Sequence, residues 1–314
     1  MRKLTLSIIS LIAILCSSFM GTVSASARNI TSTTADAPTT KKYPLFFVTN
    51  RLASESKQGE LKFRGKRSDA LVYGEYLRTG SDDDIEQAKM VKFENEQQFL
   101  DAVKATGRSA AVFVHGYRKS FDGSMDFGLS MAKHLDAPLV VFAWPSKNNY
   151  CAYMTDECTA EWSAQPLSKV LGDLGDTIGY ENIAIVSHSL GARMVQWSLK
   201  DLYAERHPQQ PFAAALFFSP DVDRDTFLQD AKFLNKACST CRVYLDKHDT
   251  RIWISKVLHG SPRIGSESKD AAQTELSQVF QFDTSLPSHH IPFSLVAQSV
   301  HRIAAGQIIN QTQQ

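Results

Sequence analysis

The run Ile183-Ala-Ile-Val186, followed at once by Ser187-His-Ser-Leu-Gly191, constrains this chain more than any other segment. Four apolar residues without a polar interruption read as a strand buried on both faces. Ala192 to Lys200 then has helical composition, so the residues between must turn sharply. A serine at the middle of such a turn projects its hydroxyl beyond the sheet, and small residues two before and two after it relieve the crowding. Ser187 and Gly191 hold those flanks around Ser189, with serine at the first where glycine is commoner. A small polar pentapeptide is also an ordinary helix N-cap. The rest of the chain has to decide between the two.

Short apolar runs alternate with helical patterns along most of the length, which predicts an α/β fold with a mostly parallel central sheet and helices on both faces. Strands are expected at Leu45 to Thr49, Val72 to Leu77, Lys89 to Phe93, Ala110 to Val114 and Pro138 to Ala143. Beyond Val186, further strands are expected at Ala213 to Phe218, Arg242 to Leu245 and Val279 to Phe282. Helices are expected at Glu94 to Thr106, Ser124 to Leu135, Leu167 to Ile178, Arg224 to Leu234 and from Phe293 on, with Asp223 as a cap. Trp144 to Pro166 has little periodicity and reads as a long loop.

The N-terminus reads as a targeting segment. Arg2 and Lys3 precede an apolar stretch, and Ala25-Ser-Ala27 offers a small-residue cleavage site, so residues 1–27 are expected to be a signal peptide. The apolar stretch is shorter than the roughly 20 residues of a membrane anchor and carries serines, so no stable anchor is expected. Residues 28–42 have the composition of a disordered leader, and 43–314 fit one domain. The chain is therefore expected to be exported, to the periplasm or outside the cell. Removing the signal peptide takes away Arg2 and Lys3 and changes the net charge from +1 to −1, a balance that gives no argument for nucleic acid. Oligomeric state is not legible. The remaining cysteines, Cys151, Cys158, Cys238 and Cys241, are even in number, which suggests two disulfides in an oxidising compartment. Cys151–Cys158 and Cys238–Cys241 are the simplest pairs, and crossed pairings stay open. No phosphate-cradling loop and no metal-ligand spacing stands out, so no cofactor is expected.

A serine hydroxyl is a poor nucleophile until a base takes its proton, and the base needs an acid to fix its tautomer. Reactive groups in open α/β sheets collect beyond the carboxyl ends of strands. Ser189, Asp221, Asp249 and His290 all follow apolar runs, in the order serine, acid, histidine. His290 is the preferred base, with His289 the alternative. Asp249 is the preferred acid, ahead of Asp221 and Asp246. The oxyanion needs two backbone donors: Leu190, after the serine, and Tyr117, in the loop after Ala110 to Val114. His115 and Trp144 lie on the same rim and are substrate-pocket candidates, Trp144 being equally suited to packing. Arg51 and Arg263 are candidates for an anionic group or for ion pairing.

With these motifs together the chain resembles bacterial esterase/lipase-superfamily α/β hydrolases of a domain of unknown function. The resemblance rests on Phe47-Val-Thr-Asn-Arg51, His115-Gly-Tyr117 with Ser120-Phe121, Trp144-Pro-Ser146, His188-Ser-Leu-Gly191, Pro220-Asp-Val-Asp223, Asp249 with Ser255, and Arg263-Ile-Gly265. It implies a serine hydrolase with Ser189, Asp249 and His290 as the triad. Leu190 stands where methionine is common, and His290-Ile-Pro where His-x-Tyr is usual. A carboxylic ester of a small molecule or lipid is the expected substrate. A non-catalytic binding domain and an amidase or peptidase are the alternatives.

Overall fold

Residues 110–114, 183–186 and 214–218 are continuously apolar because each strand is covered on both faces, and they form the centre of the sheet. A computed structural model describes residues 44–55, 61–78, 88–107, 109–246, 248–266, 281–283, 286 and 289–304. The expected signal peptide and leader, and Val279 and Phe280, lie outside these. The strands are β1 (Leu45–Glu55), β2 (Leu61–Arg78), β3 (Ala88–Lys92), β4 (Ala110–Val114), β5 (Leu139–Phe142), β6 (Ile183–His188), β7 (Ala214–Phe218), β8 (Cys241–Tyr244) and β9 (Gln281–Asp283). They form one sheet in the order β3-β2-β1-β5-β4-β6-β7-β8-β9. β2 and β3 add an antiparallel edge to β1, and every other pairing is parallel.

The described α-helices are α1 (Glu96–Ala105), α2 (Phe121–Ala132), α3 (Tyr153–Ile178), α4 (Leu190–Arg206), α5 (Arg224–Ala237), α6 (Thr250–His259) and α7 (Phe293–Ala304). Strand side chains alternate between faces. Val112, Val114, Ile183, Ile185 and Phe217 pack on one side with Phe99, Leu171, Val195, Leu199 and Phe227 of α1, α3, α4 and α5. Ala111, Phe113, Ala184, Val186 and Leu216 face Met125 and Leu129 of α2 and Val296 and Val300 of α7 on the other. Neighbouring strands β4 and β6 therefore send their following helices, α2 and α4, to opposite faces. That divergence opens a crevice beyond their carboxyl ends.

One expected loop is a helix. α3 starts at Tyr153 and carries Pro166 inside it, where Leu167 was the expected start. Its early half is buried through small and polar residues (Asp156, Thr159, Ala160, Ser163, Ala164), which gives no hydrophobic stripe to read. α6 follows Asp249, which caps it by accepting from the amides of Arg251 and Ile252.

Candidate functional site

Ser189 closes β6 and opens α4 with φ 51° and ψ −121°, a conformation that side chains other than glycine rarely adopt. Such a residue stores about 1–3 kcal/mol, held by its surroundings. Here the surroundings are explicit. The Ser189 amide donates to the Phe218 carbonyl at 3.0 Å, and the Ser189 carbonyl accepts from the Asp221 amide at 3.1 Å. A Cβ on Gly191 would meet the carbonyl oxygens of His115 at 2.5 Å and Val114 at 2.6 Å, so only glycine lets α4 start against the end of β4. The same contact lays Gly116 against the serine, its own added Cβ falling 3.0 Å from Ser189 Cβ. As the first residue of α4, Leu190 has an amide with no intrahelical acceptor. α4's positive dipole end faces the same place.

The Gly116–Lys119 loop is fastened by two of the sequence motifs, those of Arg51 and of Trp144-Pro-Ser146. The buried Arg51 guanidinium donates to Ala143 O at 3.1 Å, Ser146 O at 3.3 Å and Lys119 O at 2.9 Å. Ser146 accepts from the Lys119 amide at 3.2 Å and donates to Asp156 of α3 at 2.5 Å. Trp144 donates its indole N–H to the His115 carbonyl at 2.7 Å and stacks on the His115 ring. Burial lowers the pKa of Arg51 to about 10, against the attraction of Asp156, and leaves the side chain charged at neutral pH. Burial, helped by the charge of Arg51, lowers His115 to about 3, so its ring is neutral. His115 and Trp144, expected as substrate-pocket candidates, are buried at 1% and 0% exposure, and the contacts they make are those of packing. They hold the loop from beneath through the indole hydrogen bond and the ring stack.

Asp249 is buried at the start of α6, and its Oδ2 accepts from Nδ1–H of His289. Burial by itself would raise this carboxyl. The hydrogen bond and charge of His289 and the Ile252 amide overcome it and hold Asp249 below the ordinary carboxylate value. His188, the residue before the serine, donates from Nε2 to the His289 carbonyl at 2.7 Å, with the two rings 4.7 Å apart. Burial, and then the His289 charge, push His188 well below the ordinary histidine value. The preference for His290 is therefore corrected by one residue: His289 carries the ring that meets Asp249, while His290 is exposed. Asp249 oriented by its cap, His289 by Asp249, and His289's backbone by His188 form a continuous chain to the serine turn.

Asp221 lies elsewhere in the arrangement. Its carboxylate accepts from Tyr153 and Ser255 hydroxyls, each at 2.5 Å, and Arg263 Nε sits 3.5 Å away. Arg263 reaches it through a bridge between residues 263 and 223, with Gly265 donating to Pro220 O at 3.0 Å. Both Arg51 and Arg263 are thus engaged inside the protein. Asp246 accepts from the His248 amide in the turn before α6. Sequence reading missed Tyr153 and the role of His188. It also missed α6, which the cap signal of Asp249 before Thr250-Arg-Ile could have revealed.

Of the four described cysteines, Cys151 and Cys158 are exposed and Cys238 and Cys241 buried, and neither expected disulfide is present. Among the described residues no cluster of three or more His, Cys, Asp or Glu is arranged to hold a metal ion. No described helix is long and apolar enough to cross a membrane.

A family model described as "Alpha/beta hydrolase of unknown function (DUF900)" matches residues 91–302. Among solved structures the chain is similar to esterase PE8, at 17% identity and TM-score 0.44, over 66% of this chain and 95% of that one. It is also similar to the esterase Est2 of the Planctomycetes species Thermogutta terrifontis, at 10% identity and TM-score 0.38, over 84% and 95% of the two chains. FphF, a fluorophosphonate-binding serine hydrolase of Staphylococcus aureus, aligns at 10% identity and TM-score 0.35, over 85% and 99%. No curated protein matches the chain in sequence.

Proposed function

The chain belongs to this family of α/β hydrolases, and from that premise we propose that it is a serine hydrolase cleaving a carboxylic ester of a small molecule or lipid. The observation that carries the reading is the strained Ser189 turn, joined through His188 to a histidine already hydrogen-bonded to a buried aspartate. Ser189 Oγ attacks the ester carbonyl. His289, with Nδ1–H given to Asp249, has Nε2 as its basic nitrogen and takes the serine proton. It then returns that proton to the departing alcohol. The Leu190 and Tyr117 amides receive the oxyanion. Water, deprotonated by His289, releases the acid from the acyl-enzyme. The composition of residues 1–27 supports export, to the periplasm or beyond.

A fluorophosphonate probe and a series of p-nitrophenyl esters test this. The wild-type protein is expected to label and to hydrolyse, and Ser189→Ala to lose both while keeping its melting temperature. His289→Ala should match the serine variant in lost turnover, because triad members act as a unit. His290→Ala should lose far less. A folded wild-type chain that neither labels nor turns over would instead be a binding domain. A crippled His290→Ala beside an active His289→Ala would restore the other register.

A further inference from the structure

Three cations stand around the proposed site without an ion-pair partner among the described residues. Arg118 and Lys119 directly follow Tyr117 in the loop that lies against Ser189. Arg251 is in the first turn of α6, its amide bonded to Asp249 at 3.0 Å. None of them is engaged as Arg193 is by Glu157 or Arg263 by Asp221. Asp249 is committed to His289, Asp156 to Ser146 and the Lys147 amide, and Asp221 to Tyr153 and Ser255, while the exposed Asp126 attracts Lys119 without pairing with it.

A helix N-terminus favours acids. At α6 the capping Asp249 is the acid and is shared with His289, the first turn itself holding Arg251 and no acid, and the first turn of α4 has no acid either. Arg118 occupies a left-handed conformation, φ 61°, with its guanidinium 3.7 Å over the Tyr150 ring. The Lys119 ammonium lies 5.3 Å from the Phe127 ring centre. Aromatic faces orient these cations without neutralising them. The three charges are close enough to act on one another. Burial first, and then Arg251, lowers the Arg118 pKa; burial, Arg118 and Arg251 lower that of Lys119, against the exposed Asp126.

We propose that Arg118, Lys119 and Arg251 form an anion subsite at the mouth of the Ser189 site, and that the ester cleaved carries a carboxylate or phosphate near its scissile carbonyl. The inference rests on Ser189 as the nucleophile. A substrate with that charge would relieve the mutual repulsion of the three side chains and be steered to the serine by the field they share.

The test compares three esters in kcat/KM: neutral p-nitrophenyl butyrate, mono-p-nitrophenyl glutarate with its charge on the acyl side, and 3-carboxy-4-nitrophenyl butyrate with its charge on the leaving group. Wild type is expected to favour at least one anionic ester by about tenfold at low salt, and to lose that preference near 0.5 M salt, where screening is within roughly 5 Å. Whichever arm responds locates the charge. Arg251→Gln and Arg118→Gln should each reduce the anionic-to-neutral ratio several-fold, and Arg251→Glu should bring it below one. Arg251 is exposed, so its variants are read at unchanged melting temperature. A wild type that labels with fluorophosphonate and cleaves the butyrate without preferring either anion overturns the subsite alone. So does a preference untouched by salt and by both arginine variants. A chain that neither labels nor cleaves any of the three overturns the nucleophile and this inference together.

Discussion

Asp249 divides its carboxylate between two tasks. Oδ1 accepts from the amides of Arg251 and Ile252, and Oδ2 accepts from His289. Asn caps a helix nearly as well as Asp, so Asp249→Asn separates the roles. The variant is expected to keep most of its melting temperature. It should lose turnover on the order of 10⁴, the cost of the matching change in a serine protease. Steady-state kinetics on a nitrophenyl ester reads this. The carboxyl is held below its ordinary value, so the stability it lends is complete above an unfolded value of about 3.9 and is lost as pH falls through the lower folded value. Melting temperature below about pH 4 should accordingly fall less steeply in Asp249→Asn than in wild type. Adjacent identical residues defeat sequence reading here. His289 and His290 share one local pattern, and only contacts from 40 and 101 residues away distinguish them.

Among the elements, β6 and α4 depend on a missing side chain. A Cβ at Gly191 would fall within 2.6 Å of two backbone oxygens at the end of β4, and backbone yields less readily than a side-chain tip. Gly191→Ala is expected to cost roughly 1–3 kcal/mol of stability by overpacking. It should also move the loop of Gly116 and Tyr117 off the serine, lowering kcat by about 10²-fold. Chemical denaturation and kcat on the same preparation separate the two effects. The strand–turn–helix was legible because its apolar run, small flanks and helical sequel are all local. The half of α3 after Pro166 was legible too, and the half before it was not. A buried face of Asp156, Thr159, Ser163 and alanines lacks hydrophobic contrast, and Pro166 punctuates it like the end of a loop. Those polar groups are satisfied across the fold, as Asn50 Nδ2 donating to Ser163 Oγ at 2.9 Å illustrates.

Across the whole molecule, the central parallel strands were legible because burial on both faces leaves an unbroken apolar signature. The polar scaffold beneath the site was legible only as motifs without reasons. Arg51 supplies one reason, since its planar fork joins β1, the end of β5 and the loop after β4 through three carbonyls. Lysine cannot reproduce that fork. Arg51→Lys is expected to destabilise the protein by about 2–4 kcal/mol, and to lower the melting temperature by roughly 5–10 °C for a domain of this size. A differential scanning measurement against wild type checks it. The bond from His188 to the carbonyl of His289 has a consequence in time. It closes a loop of about a hundred residues, and such closures are entropically dear and complete late, after neighbouring strands have found one another. A refolding chain is expected to pair its central strands before His289 docks against His188. Returning turnover then clocks the final closure of the chain, behind any signal that reports the sheet.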